Sequence, residues 1–219
     1  MAEKHLFLTD YRGDPNIGFY GLATEEFALL APKFKKKERL EVNSICTTPL
    51  CNTYLTGMFA SGNSQGVILP EGVSGHELEA LEESNIDYLV LETAQNAIGN
   101  VILANDKGCV ISEQLEEHRE DIAEFLDVKV KIGTVAGLDI VGSAGIATNS
   151  GVLLHREADE EELRLFEETL DVEGDIGTVN FGSPYVGTGI VANSSVSLVG
   201  NDTKGPETAR IEKALGFLD

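Results

Sequence analysis

The feature that most constrains the fold of this chain is an internal repeat that occurs five times. Each unit opens on a glycine at the start of a short apolar run, passes through a polar turn, and returns along a second apolar run. A threonine precedes each glycine by six to nine residues. Because such self-similarity indicates a repeat architecture, we predict one domain, residues 1–219, of five units of about 43 residues. We call the opening glycines the anchors: Gly18, Gly57, Gly99, Gly142 and Gly187.

Each unit is predicted to contain a hairpin, a helix and a third strand. Asparagine and glycine in the turns tolerate the positive φ that tight hairpins need. Apolar residues at helical spacing predict acidic helices after the hairpins, among them 114–126 and 159–170. Ser74 and Glu77 form a capping-box pattern before another helix. The third apolar runs, predicted as strands, are 88–91, 128–132 and 172–176.

The two ends of the chain complement each other. The fifth unit has a helix that ends near Gly216 and no third strand, whereas residues 4–9 are a third strand with no helix before it. We therefore predict that the N-terminal strand completes the fifth unit and closes a ring, which protects the strand edges at the join. The predicted fold is α/β, a closed five-fold pseudosymmetric αβ propeller.

Charge is spread unevenly over the units. The net charge is −21, and residues 71–87, 113–127 and 156–175 hold 6, 7 and 10 acidic side chains. We expect the helices to form an acidic outer rim with the strands near the axis. Such a surface does not grip phosphate backbones in general and favours basic or small partners. Residues 33–39 break the trend with five cations, either as a solvated face or as a local contact for RNA phosphate.

The composition predicts a cytoplasmic protein. Three cysteines in 219 residues do not make a disulfide framework, which favours a reducing compartment. The apolar run at the N-terminus is too short for the core of a signal peptide, and no stretch is long enough to span a bilayer. We expect neither a membrane nor a DNA partner.

The motifs predict no catalytic residue, cofactor site or metal site. The four histidines lack the spacing of metal ligands, and Cys46, Cys51 and Cys109 have the character of small buried residues. Gly187 and Gly189 imitate the start of a dinucleotide fingerprint, but a hairpin follows them instead of the required helix. An asparagine recurs at four turns, either for turn geometry or as a polar ring that binds a ligand near the axis: Asn63, Asn105, Asn149 and Asn193.

Several segments carry a family resemblance by their order and spacing. They are Ala-Thr-Glu-Glu at 23–26, Asn-Ala-Ile-Gly-Asn at 96–100, Ala-Asn-Asp-Lys-Gly at 104–108, Gly-Thr-Val at 133–135 and Asp-Thr-Lys-Gly-Pro-Glu at 202–207. Together they resemble the archaeal translation initiation factor 6 family over residues 7–218.

The resemblance implies the pentein fold and a ribosome anti-association function. The factor is expected to bind the large (50S) ribosomal subunit on its intersubunit face and to block the small (30S) subunit sterically. Docking is expected mainly on ribosomal protein uL14, near the sarcin–ricin loop of the rRNA. We expect a monomer, and a role in large-subunit biogenesis is the overlapping alternative.

The positions just after the anchors share one rim by pseudosymmetry. We expect part of this rim, led by Asn100, Met58 and Tyr185, to meet the ribosome, with packing roles for the aromatics as the alternative. The full predicted set is Phe19, Met58, Asn100, Ser143 and Thr188, together with Tyr54 and Tyr185, which lie just before two anchors.

A rival hypothesis is an enzyme, since the pentein fold also hosts deiminases and amidinotransferases that modify guanidino groups. Those enzymes need a nucleophilic cysteine, typically in the C-terminal unit, with a histidine base. This chain has no cysteine after Cys109 and only His155 in its last hundred residues. We therefore predict that it is not an enzyme.

Overall fold

Five small three-stranded sheets, one for each repeat unit, make up this fold. The computed structural model describes residues 5–218. In every sheet the middle strand pairs antiparallel with an inner strand and parallel with an outer strand. This pattern confirms the predicted αβ propeller.

The strands fall into three sets by their place in the sheet. The inner strands are β2 (Gly21–Ala23), β5 (Ser61–Asn63), β8 (Ile102–Ala104), β11 (Gly145–Ala147) and β14 (Ile190–Ala192). The middle strands are β3 (Phe27–Leu30), β6 (Gly66–Pro70), β9 (Gly108–Ile111), β12 (Val152–His155) and β15 (Ser197–Gly200). The outer strands are β1 (Leu6–Thr9), β4 (Ser44–Thr47), β7 (Tyr88–Leu91), β10 (Lys129–Ile132) and β13 (Gly174–Gly177).

The N-terminal strand closes the ring, as predicted. Strand β1 pairs in parallel with β15, with Leu6 opposite Ser197 and Thr9 opposite Gly200. The His5 ring stacks on Phe217, with ring centroids 5.4 Å apart. The two ends of the chain therefore share one sheet and one packed contact, although position 4 of the predicted strand lies outside the described residues.

The anchors adopt a different conformation from the predicted one. They lie in single helical turns that precede the inner strands, not at the start of the strands. Two of these turns, Ile17–Tyr20 and Val186–Gly189, are 3-10 helices. The other three are α1 (Thr56–Phe59), α3 (Ile98–Val101) and α5 (Val141–Ala144).

Close packing between the helical turns explains why each anchor is glycine. A Cβ atom on Gly57 would lie 2.0 Å from the carbonyl oxygen of Gly18, and one on Gly99 would lie 2.0 Å from that of Gly57. The pattern continues through Gly142 and Gly187, and a Cβ on Gly18 would lie 2.0 Å from the Gly187 oxygen. Because no side chain fits such an approach, the anchors form a closed ring of backbone contacts.

Four units carry an outer α-helix between the middle and outer strands. These helices are α2 (Gly75–Glu83), α4 (Arg119–Leu126), α6 (Glu160–Leu170) and α7 (Gly205–Ala214). The capping box of Ser74 and Glu77 at the start of α2 is confirmed. No helix among residues 5–218 is both long and apolar enough to cross a membrane.

One helix prediction is confirmed only in part, and another is wrong. The predicted helix over 114–126 begins as a 3-10 helix, Glu113–His118, because Leu115 leaves helical geometry at φ −109°. The first unit has only a 3-10 turn, Lys37–Arg39, in place of an outer α-helix. Lys33 and Lys36 adopt positive φ, which interrupts a right-handed helix.

The core is divided among clusters that straddle neighbouring units. In the fourth unit, Phe166 and Leu170 of α6 pack in one buried cluster with Val110 of the third unit's β9. Burying such side chains contributes roughly 1.5 to 3 kcal/mol each. Each outer helix therefore fastens its own sheet to the sheet before it.

The anchor contacts make a direct prediction. Gly99→Ala should lower the free energy of unfolding by at least about 2 kcal/mol, because the new methyl group meets backbone atoms that cannot move aside. Gly75→Ala, in α2 with open space around it, should leave stability unchanged or raise it by up to about 1 kcal/mol. Chemical denaturation checks both values; equal stabilities would contradict the role given to the anchors.

Candidate docking surface

The ring has two ends with different architecture. At one, the anchor end, lie the helical turns and the loops that enter each unit. At the other, the turn end, lie the hairpin turns between the inner and middle strands. The inner strands and the anchors line a narrow axial cavity of about 80 Å³, well below the roughly 300 Å³ at which ligand pockets begin. The axis is therefore too narrow for a nucleotide or a comparable ligand.

Four of the predicted rim residues converge on this axial cavity. Phe19, Asn100, Ser143 and Thr188 line it. The Ser143 hydroxyl donates a 2.8 Å hydrogen bond to Asn100 Oδ1, and the Thr188 hydroxyl donates to the Tyr185 carbonyl. Ser143 and Thr188 are both buried. The polar members thus bond within the ring, and their contact with a ribosome stays a prediction.

Met58 differs from the other rim residues. It follows the anchor of the second unit in α1 and is half-buried. It is not among the residues that line the axial cavity. Its place in a ribosome contact likewise stays a prediction.

At the turn end, buried asparagines join neighbouring units. Asn105 Oδ1 accepts hydrogen bonds from the backbone N–H groups of Lys107 and Gly108 in its own turn. Its amide donates to the carbonyl oxygens of Thr148 and Leu170 in the next unit. Asn63 and Asn193 repeat this double role, so the turn interpretation is confirmed for them.

The fourth member of the asparagine series was assigned one residue off. Thr148, not Asn149, is the buried residue that directly follows the inner strand of its unit. Its hydroxyl accepts a hydrogen bond from the Ser150 N–H, the same turn function in a different residue type. Asn149 instead bonds Asp106 of the preceding unit, side chain to side chain, at 2.6 Å.

The two predicted tyrosines lie exposed at the anchor end. Tyr54 and Tyr185 are 46% and 40% exposed. The Arg12 guanidinium lies over the Tyr54 ring, with its Cζ atom 4.5 Å from the ring centroid. The rings of Tyr185 and His155 pack in a T-shaped arrangement, with centroids 5.7 Å apart. Each tyrosine therefore has one side packed and the other in solvent, an arrangement that suits a recognition residue.

Phe181, which sequence reasoning missed, is the most exposed large apolar side chain among the described residues, at 79%. Its loop holds three consecutive residues at positive φ, Asn180, Phe181 and Gly182. Two of them are not glycine, and non-glycine residues keep this conformation only where the surrounding structure holds them. The signal in the sequence was the triplet Asn-Phe-Gly, in which the flanking residues predict a turn and so expose the aromatic ring.

One glutamate holds this strained loop in place. Glu207, in the first turn of α7, accepts hydrogen bonds from the N–H groups of Phe181 and Gly182 at 3.2 and 2.8 Å. It also accepts from the Lys204 N–H and the Thr178 hydroxyl. Glu207 therefore both caps the start of α7 and holds the Phe181 loop in place, and we call this second role the clamp.

Two other units use the same clamp. Glu162 of α6 accepts hydrogen bonds from the N–H groups of Ala136 and Gly137, and Glu77 of α2 accepts one from Asn52. The entry loops of these units are therefore fixed by the helices behind them. The loops are rigid supports for whatever side chain each one displays.

The exposed aromatics lie on the entry loops of the fifth and second units, and the first-unit loop connects these two loops. Asn180 of the fifth-unit loop donates to the Pro15 carbonyl in the first-unit loop, and Arg12 of that loop reaches Tyr54 in the second. Lys204 lies beside Phe181, with its ammonium 6.0 Å from the ring centroid. We call this continuous arc the aromatic rim: Tyr54, Phe181 and Tyr185, with Arg12 and Lys204.

The cysteines are poor candidates for a nucleophile. Burial raises the pKa of the Cys46, Cys51 and Cys109 thiols, whereas a reactive cysteine needs a lowered pKa. Within residues 5–218, no three acidic, histidine or cysteine side chains are grouped to hold a metal ion. The raised pKa values of these thiols therefore give no support to the guanidino-modifying chemistry of the rival hypothesis.

The clamp predicts a pH-dependent contribution to stability. Burial raises the pKa of Glu207. The hydrogen bonds from Lys204, Thr178, Gly182 and Phe181 together lower this pKa by more than burial raises it, so the pKa lies below the usual 4.5. A lowered pKa adds stability that is present above pH 4.5 and is lost as the pH falls through the folded-state pKa.

Glu207→Gln should therefore cost about 1 kcal/mol at neutral pH, and its difference from the wild type should shrink below about pH 4.5. Denaturant titrations across this pH range measure the difference. Glu212→Gln, on the same helix and with no side-chain hydrogen bond among the described residues, serves as control. A difference that stays constant with pH would rule out the charged clamp.

Comparison with known proteins identifies the family. A family model described as "eIF-6 family" matches residues 7–214. Translation initiation factor 6 of Pyrococcus horikoshii is 37% identical over 98% of this chain and 100% of its own length. The proteins of the same name from Haloquadratum walsbyi and Methanocaldococcus jannaschii are 40% and 39% identical, each over 95% of this chain and 96% of their own. These names support a role in translation initiation, and the chain belongs to the eIF-6 family.

Proposed function

We propose that this protein binds the large ribosomal subunit through the aromatic rim and sterically prevents the small subunit from joining. The observation that carries the proposal is Phe181, an aromatic ring 79% exposed on a strained loop that Glu207 clamps. Aromatic and arginine side chains in rigid settings are the usual anchors of protein interfaces. The relatives named translation initiation factor 6 support a translational partner.

Steric blocking needs a rigid body more than it needs chemistry. The anchor contacts and the cores between units make the ring rigid, and the clamped loops extend that rigidity to the docking residues. A preformed surface loses little conformational entropy on binding. A specific contact of standard size, about 800 Å² on each partner, would then be enough to hold the ring over the surface that the small subunit needs.

Charge supports a basic ribosomal protein as the principal contact. The chain carries a net charge of −21, so it is drawn toward a basic partner and repelled by bare RNA. We propose ribosomal protein uL14, near the sarcin–ricin loop, as that partner. This attraction should weaken as salt rises, because exposed charges are screened.

The proposal keeps the predicted residues but changes their ranking. Tyr54 and Tyr185 are exposed and join Phe181 in the leading set. Asn100 accepts the Ser143 hydrogen bond inside the ring, so its replacement would disturb packing as well as docking. A cytoplasmic, monomeric factor is the form in which we propose that it acts.

Sedimentation with purified subunits tests the proposal. The double variant Phe181→Ala with Tyr185→Ala should bind large subunits at least about tenfold more weakly and should restore the formation of joined ribosomes, with an unchanged melting temperature. Leu218→Ala removes another exposed side chain, 51% exposed, next to Phe217 at the turn end, and should bind like the wild type.

The outcomes separate the alternatives. If the double variant bound large subunits as tightly as the wild type, the aromatic rim would not be the docking surface. Binding of the wild type to precursor particles but not to mature large subunits would favour a role in subunit assembly over anti-association.

A further inference from the structure

Among residues 5–218, the outer wall of the ring has one basic sector, which lies in the first unit. Where the second, third and fourth units have acidic segments, this unit has residues 33–39, with five cations and one acid. Lys33, Lys35, Lys36 and Arg39 are exposed and Lys37 is half-buried. We call residues 33–39 the basic segment.

The basic segment is held rigidly, although it lacks an α-helix. The flanking Pro32 carbonyl accepts a 2.9 Å hydrogen bond from the Tyr11 hydroxyl, and Phe34 and Leu40 are buried in the core between the fifth and first units. Lys33 and Lys36 have φ of +68° and +60°. Non-glycine residues stay in this region only where the surrounding structure holds them.

The segment also covers the seam where β1 closes the ring. Lys36 donates to the Leu8 carbonyl, and the Arg39 guanidinium lies 4.9 Å from the centre of the Phe7 ring. Lys35 pairs with Asp10 at 2.6 Å. These three cations therefore stabilise the seam through side-chain contacts.

Lys33 and Lys37 do not stabilise the seam in this way. Among the described residues, neither side chain makes a hydrogen bond or an ion pair. Their ammonium groups are therefore available to a negatively charged partner.

The basic segment adjoins the aromatic rim. Asp10, which pairs with Lys35, belongs to the same entry loop as Arg12. A partner seated over the fifth, first and second units would therefore project beyond the rim onto this part of the wall.

We infer that the basic segment is a contact surface for the phosphate backbone of RNA, beside the docking site of the aromatic rim. Lysine ammonium groups act as point charges that suit phosphate, and phosphate contacts fix orientation without reading sequence. On a ring that otherwise repels RNA, a single basic sector admits only one orientation. The inference rests on the proposed function for the source of the RNA, the ribosomal subunit.

The test removes the two cations whose side chains make no hydrogen bond or ion pair among the described residues. Lys33→Gln with Lys37→Gln keeps the seam intact. Lys129→Gln with Lys131→Gln removes the same charge from two exposed lysines on β10 and is the matched control. Equal melting temperatures for the two double variants establish that the comparison reports on charge alone.

The first measurement is an NMR titration of the protein with a short RNA hairpin at low salt. Backbone amide shifts should cluster at residues 31–41 in the wild type and the control, and should disappear in the Lys33 and Lys37 double variant. Shifts that are absent or spread over the ring would overturn the inference. So would equal or stronger shifts at these amides with a polyglutamate peptide, which would indicate an acidic protein partner.

The second measurement is the salt dependence of binding to purified large subunits. The slope of log K against log salt should become shallower by about two for the Lys33 and Lys37 double variant, because each phosphate that is no longer neutralised lowers the slope by about one. An unchanged slope, or an equal change in the control, would overturn the inference. Failure of the wild type to bind large subunits would instead refute the proposed function, and the hairpin titration would then decide whether the basic segment binds RNA.

Discussion

The contact on which this structure depends is the approach of each anchor glycine to the backbone of the anchor before it. At 2.0 to 2.2 Å from a hypothetical Cβ to the neighbouring carbonyl oxygen, no residue but glycine fits. Five such contacts close on themselves, since Gly18 meets Gly187. The distance between units is therefore fixed by backbone atoms at the axis. The outer helices fill the wedge-shaped spaces between units, which widen toward the outer wall of the ring.

This symmetric centre allows the periphery to vary. Glu77, Glu162 and Glu207 clamp the entry loops of three units in the same way, yet the loops carry different side chains. Only the fifth-unit loop displays an aromatic ring as exposed as Phe181 among the described residues. Because the clamp bonds backbone N–H groups, it holds the loop whatever side chain the loop carries. Recognition can therefore be concentrated in one arc without weakening the ring.

The sequence predicted the architecture well because the period and the hydrophobic pattern determine it. Strand β7 spans the predicted residues. The closing strand was inferred because the fifth unit lacks a third strand and the N-terminal strand has no helix before it. Local patterns failed where tertiary contacts decide. The anchor runs are apolar whether they form a helical turn or a strand, and only the axial contact selects the turn. The buried position of Thr148 is a similar case, since threonine and asparagine both serve the turn and the sequence favoured the neighbouring Asn149.

The site was harder to predict than the fold for a physical reason. Hydrophobicity predicts that phenylalanine is buried, and Phe181 is exposed because Glu207 fixes its loop from 26 residues away in the chain. The basic segment was visible as composition, but its place on the closing seam required the pairing of β1 with β15. The position of the basic segment matters because electrostatic attraction has a short range. Screening confines electrostatic attraction to about 8 Å at physiological salt, so the acidic wall and the basic sector act on different parts of a partner. A large particle that presents both protein and RNA is the kind of surface that satisfies both at once.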